Sequence, residues 1–359
     1  MPEGNEEAGS PTDFFNSLNG SQISMLEKPD LQDQLIISRL QDEYGLHVHQ
    51  LTFLPLGADV NTAVFRVVTE DETAYFLKLR KGDFDEITVA VPQLLRAQGI
   101  QSVIAPRETR AQQRWASLDD FKMILYPFIE GQNGYEAALS DHQWLDFGAA
   151  LKGIHTAQVP PSLTKLIPRE TYSPRWREIV KTFQAQIEAI AFDDPTAAKL
   201  AAFMKARRGE IDHLVARAEG LGVALQARSL EVVLCHSDMH AGNLLIGAND
   251  TLYIVDWDNP SFAPKEIDLM IVGGCGVWNS AREEALFYQG YGQTEIDRMA
   301  LAYYRYERII RDIAEFCQQL FLTGEGGRDR EQGFMYFTSQ FLPNHEVEIA
   351  FKTDKLLTN

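Results

Sequence analysis

The chain has 359 residues, enough for one large domain or two modest ones with ample core. Apolar residues make up 45% and charged residues 23%, ordinary for a globular protein, and no apolar run is long enough to span a bilayer. Lys plus Arg is 33 and Asp plus Glu is 51, so the formal net charge is −18; this argues against a nucleic-acid binder, which needs a basic face, and suits a cationic ligand.

Met1 to Gln22 is polar and acidic and lacks the basic start and apolar stretch of a secretory signal, so residues 1–30 read as a flexible tail. Cys235, Cys275 and Cys317 have no metal-like spacing, which predicts a reduced, cytoplasmic protein with buried thiols. Asp33 to Asp42 carries Leu35, Ile36 and Leu40 on roughly one helical face. Three β-like runs follow, at 51–54, 63–68 and 74–79, separated by turn residues. Their pattern predicts an antiparallel meander. A helix is expected from Asp85 to Ala97, closed by Gly99, with further strands at Val103–Ala105 and Phe121–Tyr126.

The texture changes at Pro127, and Gly131, Asn133 and Gly134 suggest a connector. Beyond it the chain is helix-periodic over 144–155, 176–190, 197–218 and 296–322, with one β-like interruption from Val232 to Asp256. Strands first and helices after imply two lobes with a cleft between them. The expected boundaries are 31–126 for the N-lobe, 127–133 for a hinge and 134–359 for the C-lobe.

The strongest chemical signal is His236-x-Asp238-x-x-x-x-Asn243, followed by Asp256. Residues 244–246 and 252–255 read as a hairpin turning at 247–250, which brings Asn243 and Asp256 to the same end. An amide oxygen and a carboxylate suit Mg²⁺, a hard cation that takes its remaining ligands from water and phosphates. Asp238 beside them can accept or orient the proton of an attacking hydroxyl, and phosphoryl transfer needs little more than such positioning. Turn capping is the plain alternative for all three residues. Zinc held by His236 and His240 would need a helix and a third ligand.

On this motif the chain resembles the protein-kinase-like superfamily, in its aminoglycoside phosphotransferase branch. Ser237 stands where protein kinases carry Arg, and Trp257-Asp258 stand where they carry Phe-Gly. Tyr172 to Val180, Cys235 to Asn243 and Tyr253 to Met270 extend the resemblance, which runs from about Leu31 to the C-terminus. It implies an α+β, two-lobe fold, with an antiparallel-sheet N-lobe that binds nucleotide and a mainly helical C-lobe. It also implies an ATP-dependent kinase, with Asp238 as catalytic base and Asn243 and Asp256 holding Mg²⁺.

The remaining assignments follow from that resemblance. Lys78, between apolar neighbours in the third strand, would reach the nucleotide phosphates, with Glu86 as its helix partner. Pro92 is then expected in the first helical turn. The loop holding Gly57 and Asn61 would cover the phosphates. Tyr126 and Phe128 match the hinge that reads adenine, with Leu125 and Ile254 sandwiching the ring. Asp258, Glu266, Glu307 and Trp257 are the candidates for binding a cationic aminocyclitol or aminoglycoside, Trp257 through its aromatic face. A small-metabolite kinase of the same fold, acting on choline, homoserine, methylthioribose or a ketosamine, stays open. So does a non-catalytic nucleotide-binding module.

Overall fold

A computed structural model of the chain describes residues 28–55, 61–82, 84–276, 278, 280–322 and 327–357. Residues 1–27 of the expected tail, and Gly57 of the expected phosphate loop, lie outside the described residues. Helix α1 (Asp33–Tyr44) buries Ile36, Leu40 and Tyr44 at four-residue spacing, a single helical stripe. It stops at Gly45, whose positive φ of 71° suits a residue without Cβ.

Strands β1 (Val48–Leu54), β2 (Thr62–Thr69) and β3 (Ala74–Lys81) form the expected meander. Helix α2 (Ile87–Ala97) follows, then β4 (Ala116–Leu118) and β5 (Phe121–Pro127). Among the described residues these strands make one sheet in the order β1-β2-β3-β5-β4. Side-chain alternation gives its two faces different work. Phe65, Val67, Leu77, Leu79, Met123 and Leu125 pack with α1 into the N-lobe core. On the other face the register sets Val64 and Ile124 beside Lys78, and Tyr126 beside Phe76.

Two expectations change here. The strand at Val103–Ala105 does not form: the Val103 N–H turns back to Ile100, and only an isolated parallel bridge joins Val103 to Ile254. Pro106 follows and has no N–H with which to extend a ladder. Pro92 lies inside α2, not in its first turn, where its ring removes the backbone bond to the Thr88 carbonyl. The helix holds because Ile87, Val91 and Leu95 pack into the C-lobe core beside Trp144, Phe147 and Ile254.

After β5 the chain forms β6 (Gly131–Asn133), then α3 (Asp141–His155), α4 (Pro161–Thr164) and α5 (Arg175–Gln186). The single helix expected over 197–218 is broken at Arg207 into α6 (Pro195–Ala206) and α7 (Arg208–Gln226). Asp194 caps α6 by accepting the Ala197 N–H at 2.7 Å. Next come β7 (Val233–Cys235), a 3₁₀ turn (Ala241–Asn243), β8 (Leu244–Gly247), β9 (Leu252–Ile254) and β10 (Ser261–Ala263). Helices α8 (Glu266–Leu269), α9 (Ala281–Tyr291), α10 (Arg298–Leu322), α11 (Gly327–Ser339) and α12 (Glu346–Lys355) complete the chain.

Of the residues read as a connector, Gly131 and Asn133 lie in strand β6, which pairs with β8 and so ties the hinge to the predicted hairpin. A Cβ on Gly131 would lie 2.2 Å from the Ile246 carbonyl oxygen, so only glycine permits this approach. Helix α10 is the spine of the C-lobe; Tyr303, Tyr306, Ile310, Ile313 and Cys317 on it are buried against α5, α6 and α7. All three cysteines are buried, and none forms a disulfide among the described residues. No helix among the described residues is long and apolar enough to cross a membrane.

Candidate active site

The hairpin β8–β9 places the motif. Leu244 pairs with Ile254, and the Val255 N–H donates to the Asn243 carbonyl at 2.9 Å. Asn243 and Asp256 therefore leave the same end of the ladder. The Asn243 side chain is buried, and its Nδ2 donates to the backbone carbonyl of Asp238 at 2.8 Å. A carbonyl can only accept, so this bond fixes the amide orientation and turns Asn243 Oδ1 away from Asp238. Asp256 is half exposed, with a left-handed φ of 61°. Ser237, just before Asp238, is also left-handed at 66°. Non-glycine residues are uncommon there, and such backbone is held only by surrounding structure.

That structure begins with Asp268 of α8, which is fully buried. Its Oδ2 and Oδ1 accept the backbone N–H groups of His236 and Ser237, each at 2.8 Å. The same Oδ2 accepts from His155 Nε2 at 3.1 Å, so His155 Nδ1 is left to accept the Tyr291 hydroxyl at 2.7 Å. His155 ends α3 and Tyr291 ends α9. These helices cross where a Cβ on Gly148 would meet Phe287 O at 2.1 Å and one on Gly290 would meet Leu145 O at 2.0 Å. The bare backbone crossing thus sets the brace beneath the loop. His236 adds to it: Nε2 donates to Val255 O at 2.9 Å and the ring meets Trp257 edge-on at 4.7 Å. The zinc arrangement weighed for His236 and His240 has no support here, since His240 Nδ1 accepts the Gly242 N–H at 3.1 Å.

Lys78 lies opposite, on the cleft face of β3. Its Nζ is 2.9 Å from both oxygens of Asp258 and 3.4 Å from Asp256. Burial opposes its charge, but Asp256 and Asp258 outweigh that and hold the ammonium above the usual lysine range. Arg80, two residues on and on the same face, brings Nη1 to 3.1 Å from Asp258. That buried Nη1 has no hydrogen-bond partner among the described residues. A pair of cations held by one half-buried carboxylate is a ready place for phosphate oxygens.

Glu86 does not complete this set. It is exposed at the start of α2, and Lys78 takes Asp256 and Asp258 instead. Asn61 precedes β2 in a turn and accepts the Lys81 N–H through its carbonyl at 2.8 Å. Tyr126 lies on the cleft face, 6.5 Å from the Phe76 ring. Burial, then Asp258 and Asp256, push its hydroxyl far above the ordinary tyrosine range. Phe128 carries Arg66 over its ring at 5.1 Å, and its N–H donates to Ala74 at 3.2 Å. The adenine sandwich needs correction. Leu125 is fully buried on the α1 face of the sheet and Ile254 is fully buried in the C-lobe core. Alternation gives the cleft to Ile124 and Tyr126 instead.

The four residues proposed for a cationic acceptor are otherwise engaged. Asp258 neutralises Lys78 and Arg80. Glu266 is buried, accepting the Asp297 N–H at 3.0 Å with Lys265 at 3.3 Å. Glu307 pairs with Arg177 at 2.5 Å. Trp257 is buried and donates Nε1–H to Ile254 O at 3.2 Å. For Glu266, Glu307 and Trp257, turning to a ligand would leave the internal partner unpaired.

What does meet Asp238 is α10. Arg308 Nη1 lies 2.7 Å and Arg311 Nη1 3.3 Å from Asp238 Oδ1. Burial works against the charge of Asp238, but these arginines outweigh it and hold the carboxyl below the usual carboxylate range. Tyr135 stacks on His240 at 6.2 Å alongside. Sequence reasoning missed Arg80, Arg311 and Asp268 altogether. The only available signals were the period-2 spacing of Lys78 and Arg80 and the helical spacing of Arg308 and Arg311.

Oxygen donors alone, with an amide oriented by Asp238 and an accessible carboxylate, fit a hard divalent cation at Asn243 and Asp256.

The sequence model of the phosphotransferase enzyme family (APH) matches residues 52–304. No curated protein sequence matches the chain. Among solved structures, spectinomycin phosphotransferase APH(9)-Ia in complex with ADP and spectinomycin is 40% identical, with 91% of this chain and 99% of that chain covered and a TM-score of 0.85. An AMP-bound complex of the same enzyme is 39% identical, covering 89% and 98%, with a TM-score of 0.80. Plasmodium vivax ethanolamine kinase, 13% identical over 98% and 97% with a TM-score of 0.54, shares the fold.

Proposed function

The chain belongs to the phosphotransferase enzyme family, and from that premise we propose that it transfers the γ-phosphoryl group of ATP to a hydroxyl of a cationic aminocyclitol, with spectinomycin as the acceptor. The observation that carries this reading is the 40% identity, over nearly the whole of both chains, to an enzyme solved with ADP and spectinomycin.

ATP binds in the cleft, with Lys78 and Arg80 on its phosphates, displacing Asp258 from them. Tyr126 and Phe128 line the nucleotide end. Asn243 and Asp256 would hold Mg²⁺, which when bound neutralises phosphate charge. Asp238 aligns the acceptor hydroxyl. As the acceptor oxygen bonds to the γ-phosphorus, the bond from that phosphorus to the β–γ bridging oxygen breaks. Its electron pair leaves with ADP, and the hydroxyl proton passes to Asp238 and then to solvent. Because Arg308 and Arg311 hold the Asp238 carboxyl below the usual carboxylate range, it is a weaker base than a free aspartate. Its contribution is chiefly orientation, which suits a loose transition state with little early proton transfer.

A coupled assay of ADP release with spectinomycin, other aminoglycosides, choline, homoserine, methylthioribose and a ketosamine tests the acceptor. Turnover with spectinomycin supports the reading; turnover of a metabolite with no response to any aminocyclitol would overturn it. Asp238→Ala is expected to retain ADP binding while losing roughly 10²–10⁴-fold in kcat.

A further inference from the structure

Arg308 and Arg311 stand three apart on α10, so their side chains share one helical face. Both reach the same atom, Asp238 Oδ1, at 2.7 and 3.3 Å. Each guanidinium is also held from behind. Arg308 Nε lies 3.0 Å from Asp312, and Arg311 Nε lies 2.7 Å from Glu315. Asp312 is steadied in turn by Gln340 Nε2 at 3.1 Å. Arg311 lies 5.8 Å from the Trp176 ring, which Arg175 covers at 4.7 Å. By contrast, Asp238 Oδ2 has no protein partner among the described residues and is not among the sealed polar atoms.

A carboxylate turns readily about its last torsion, and its oxygens are equivalent until something distinguishes them. Here two guanidinium groups distinguish them. We propose that Arg308 and Arg311 are positioning residues for phosphoryl transfer: they pin Asp238 by Oδ1 and so present Oδ2 alone to the acceptor hydroxyl. This rests on the reading of Asp238 as the group that meets that hydroxyl. The arginines form no bond to the transferred group; the proton of the acceptor goes to Oδ2, as in the step above. The arrangement also differs from a structural ion pair in one respect. A structural pair would be satisfied by either oxygen of Asp238, whereas both arginines hydrogen-bond to one, and the other accepts from none of the described residues.

The test compares Arg308→Ala, Arg308→Lys, Arg311→Ala and Arg311→Lys, each alone and combined with Asp238→Asn. Steady-state kcat, KM for ATP and for spectinomycin, and thermal midpoint are measured on the full chain. Arg308→Ala is expected to lower kcat by roughly 10²-fold, the cost of a reacting group displaced by about 1 Å, with the KM for ATP within about 2-fold of the parent. Arg308→Lys should recover part of that loss, since an ammonium can still hold Oδ1. The Arg311 variants should show a smaller loss, in line with the longer contact. In the Asp238→Asn background, removing Arg308 should change the residual rate by less than about 3-fold, because a residue acting through Asp238 has nothing left to act on. An unchanged or raised kcat in Arg308→Ala would overturn the proposal. Equal losses in both backgrounds would do so too, by showing that the arginine acts on something other than Asp238. If Arg308→Ala does not fold, Arg308→Lys and Arg308→Gln carry the same comparison. Near-normal turnover by Asp238→Asn would overturn the reading of Asp238 as well. Loss in Asp238→Asn with parental rates in both arginine variants would remove the positioning role alone.

Discussion

The side-chain amide of Asn243 donates to the backbone carbonyl of Asp238 at 2.8 Å, and this single bond ties a candidate metal ligand to the residue proposed to meet the acceptor. It makes the amide difficult to replace. Asn243→Asp puts a carboxylate oxygen against a carbonyl that can only accept, a loss of about 1–3 kcal/mol with no compensating donor. Both Asn243→Asp and Asn243→Ala are expected to lower kcat by at least about 10-fold and to raise the Mg²⁺ concentration needed for half-maximal rate. Magnesium titrations of turnover check this; parental magnesium dependence in both variants would remove Asn243 from the metal site.

Arg80 is expected to bind nucleotide phosphate alongside Lys78. Its buried Nη1 sits 3.1 Å from the carboxylate that phosphate would replace. A charge-assisted hydrogen bond contributes about 1.5–3 kcal/mol, so Arg80→Gln should weaken ADP binding about 10-fold or more. AMP, with one phosphate fewer, should be affected less. Calorimetric titration of both nucleotides decides it, and equal weakening would argue for a merely structural arginine.

Asp268 is a stability prediction. It is fully buried and accepts from the His236 and Ser237 backbone and from His155. Asp268→Asn replaces an acceptor oxygen with an NH₂ group facing donors. The expected loss is about 3 kcal/mol or more, read from urea unfolding, with a parallel fall in kcat as the loop slackens. Parental stability would mean that the loop holds its left-handed Ser237 without this brace.

His240 predicts a pH dependence. Burial first, then the Arg308 charge, depresses its pKa from 6.5 to about 4. The unfolded chain therefore takes up this proton before the folded one does. Stability from this site is fully present above about pH 7 and is lost as the pH falls from 6.5 towards 4, by up to about 3 kcal/mol. His240→Gln removes the titration. Its thermal midpoint should fall less than the parent's between pH 7 and 4.5, whereas two parallel curves would show that His240 does not titrate in that window.

The N-lobe meander, the hairpin and the joint position of Asn243 and Asp256 were legible in the sequence because each rests on short-range rules. Strands alternate with period 2, turns need particular residues, and a hairpin returns its ends together. The same rules put Lys78 on one face of its strand and would have put Arg80 there too; the phosphate role of Lys78 came from the resemblance. They failed at Val103–Ala105, where β-like residues meet a proline and a turn in place of a neighbouring strand. They failed again at Arg207, where helical periodicity runs unbroken through an interruption of the helix.

The candidate reacting group was thus picked out in the sequence itself: Asp238, in its spacing to Asn243 and Asp256. What surrounds it was decided by tertiary structure. Glu307 and Arg308 are adjacent in sequence, yet α10 turns one to Arg177 and the other to Asp238. A helix rotates about 100° per residue, and its rotational setting comes from packing against α5, α6 and α7, not from local sequence. For that reason Glu307, expected to meet a cation, is an internal partner of Arg177, and two arginines from 70 residues or more away stand beside the aspartate.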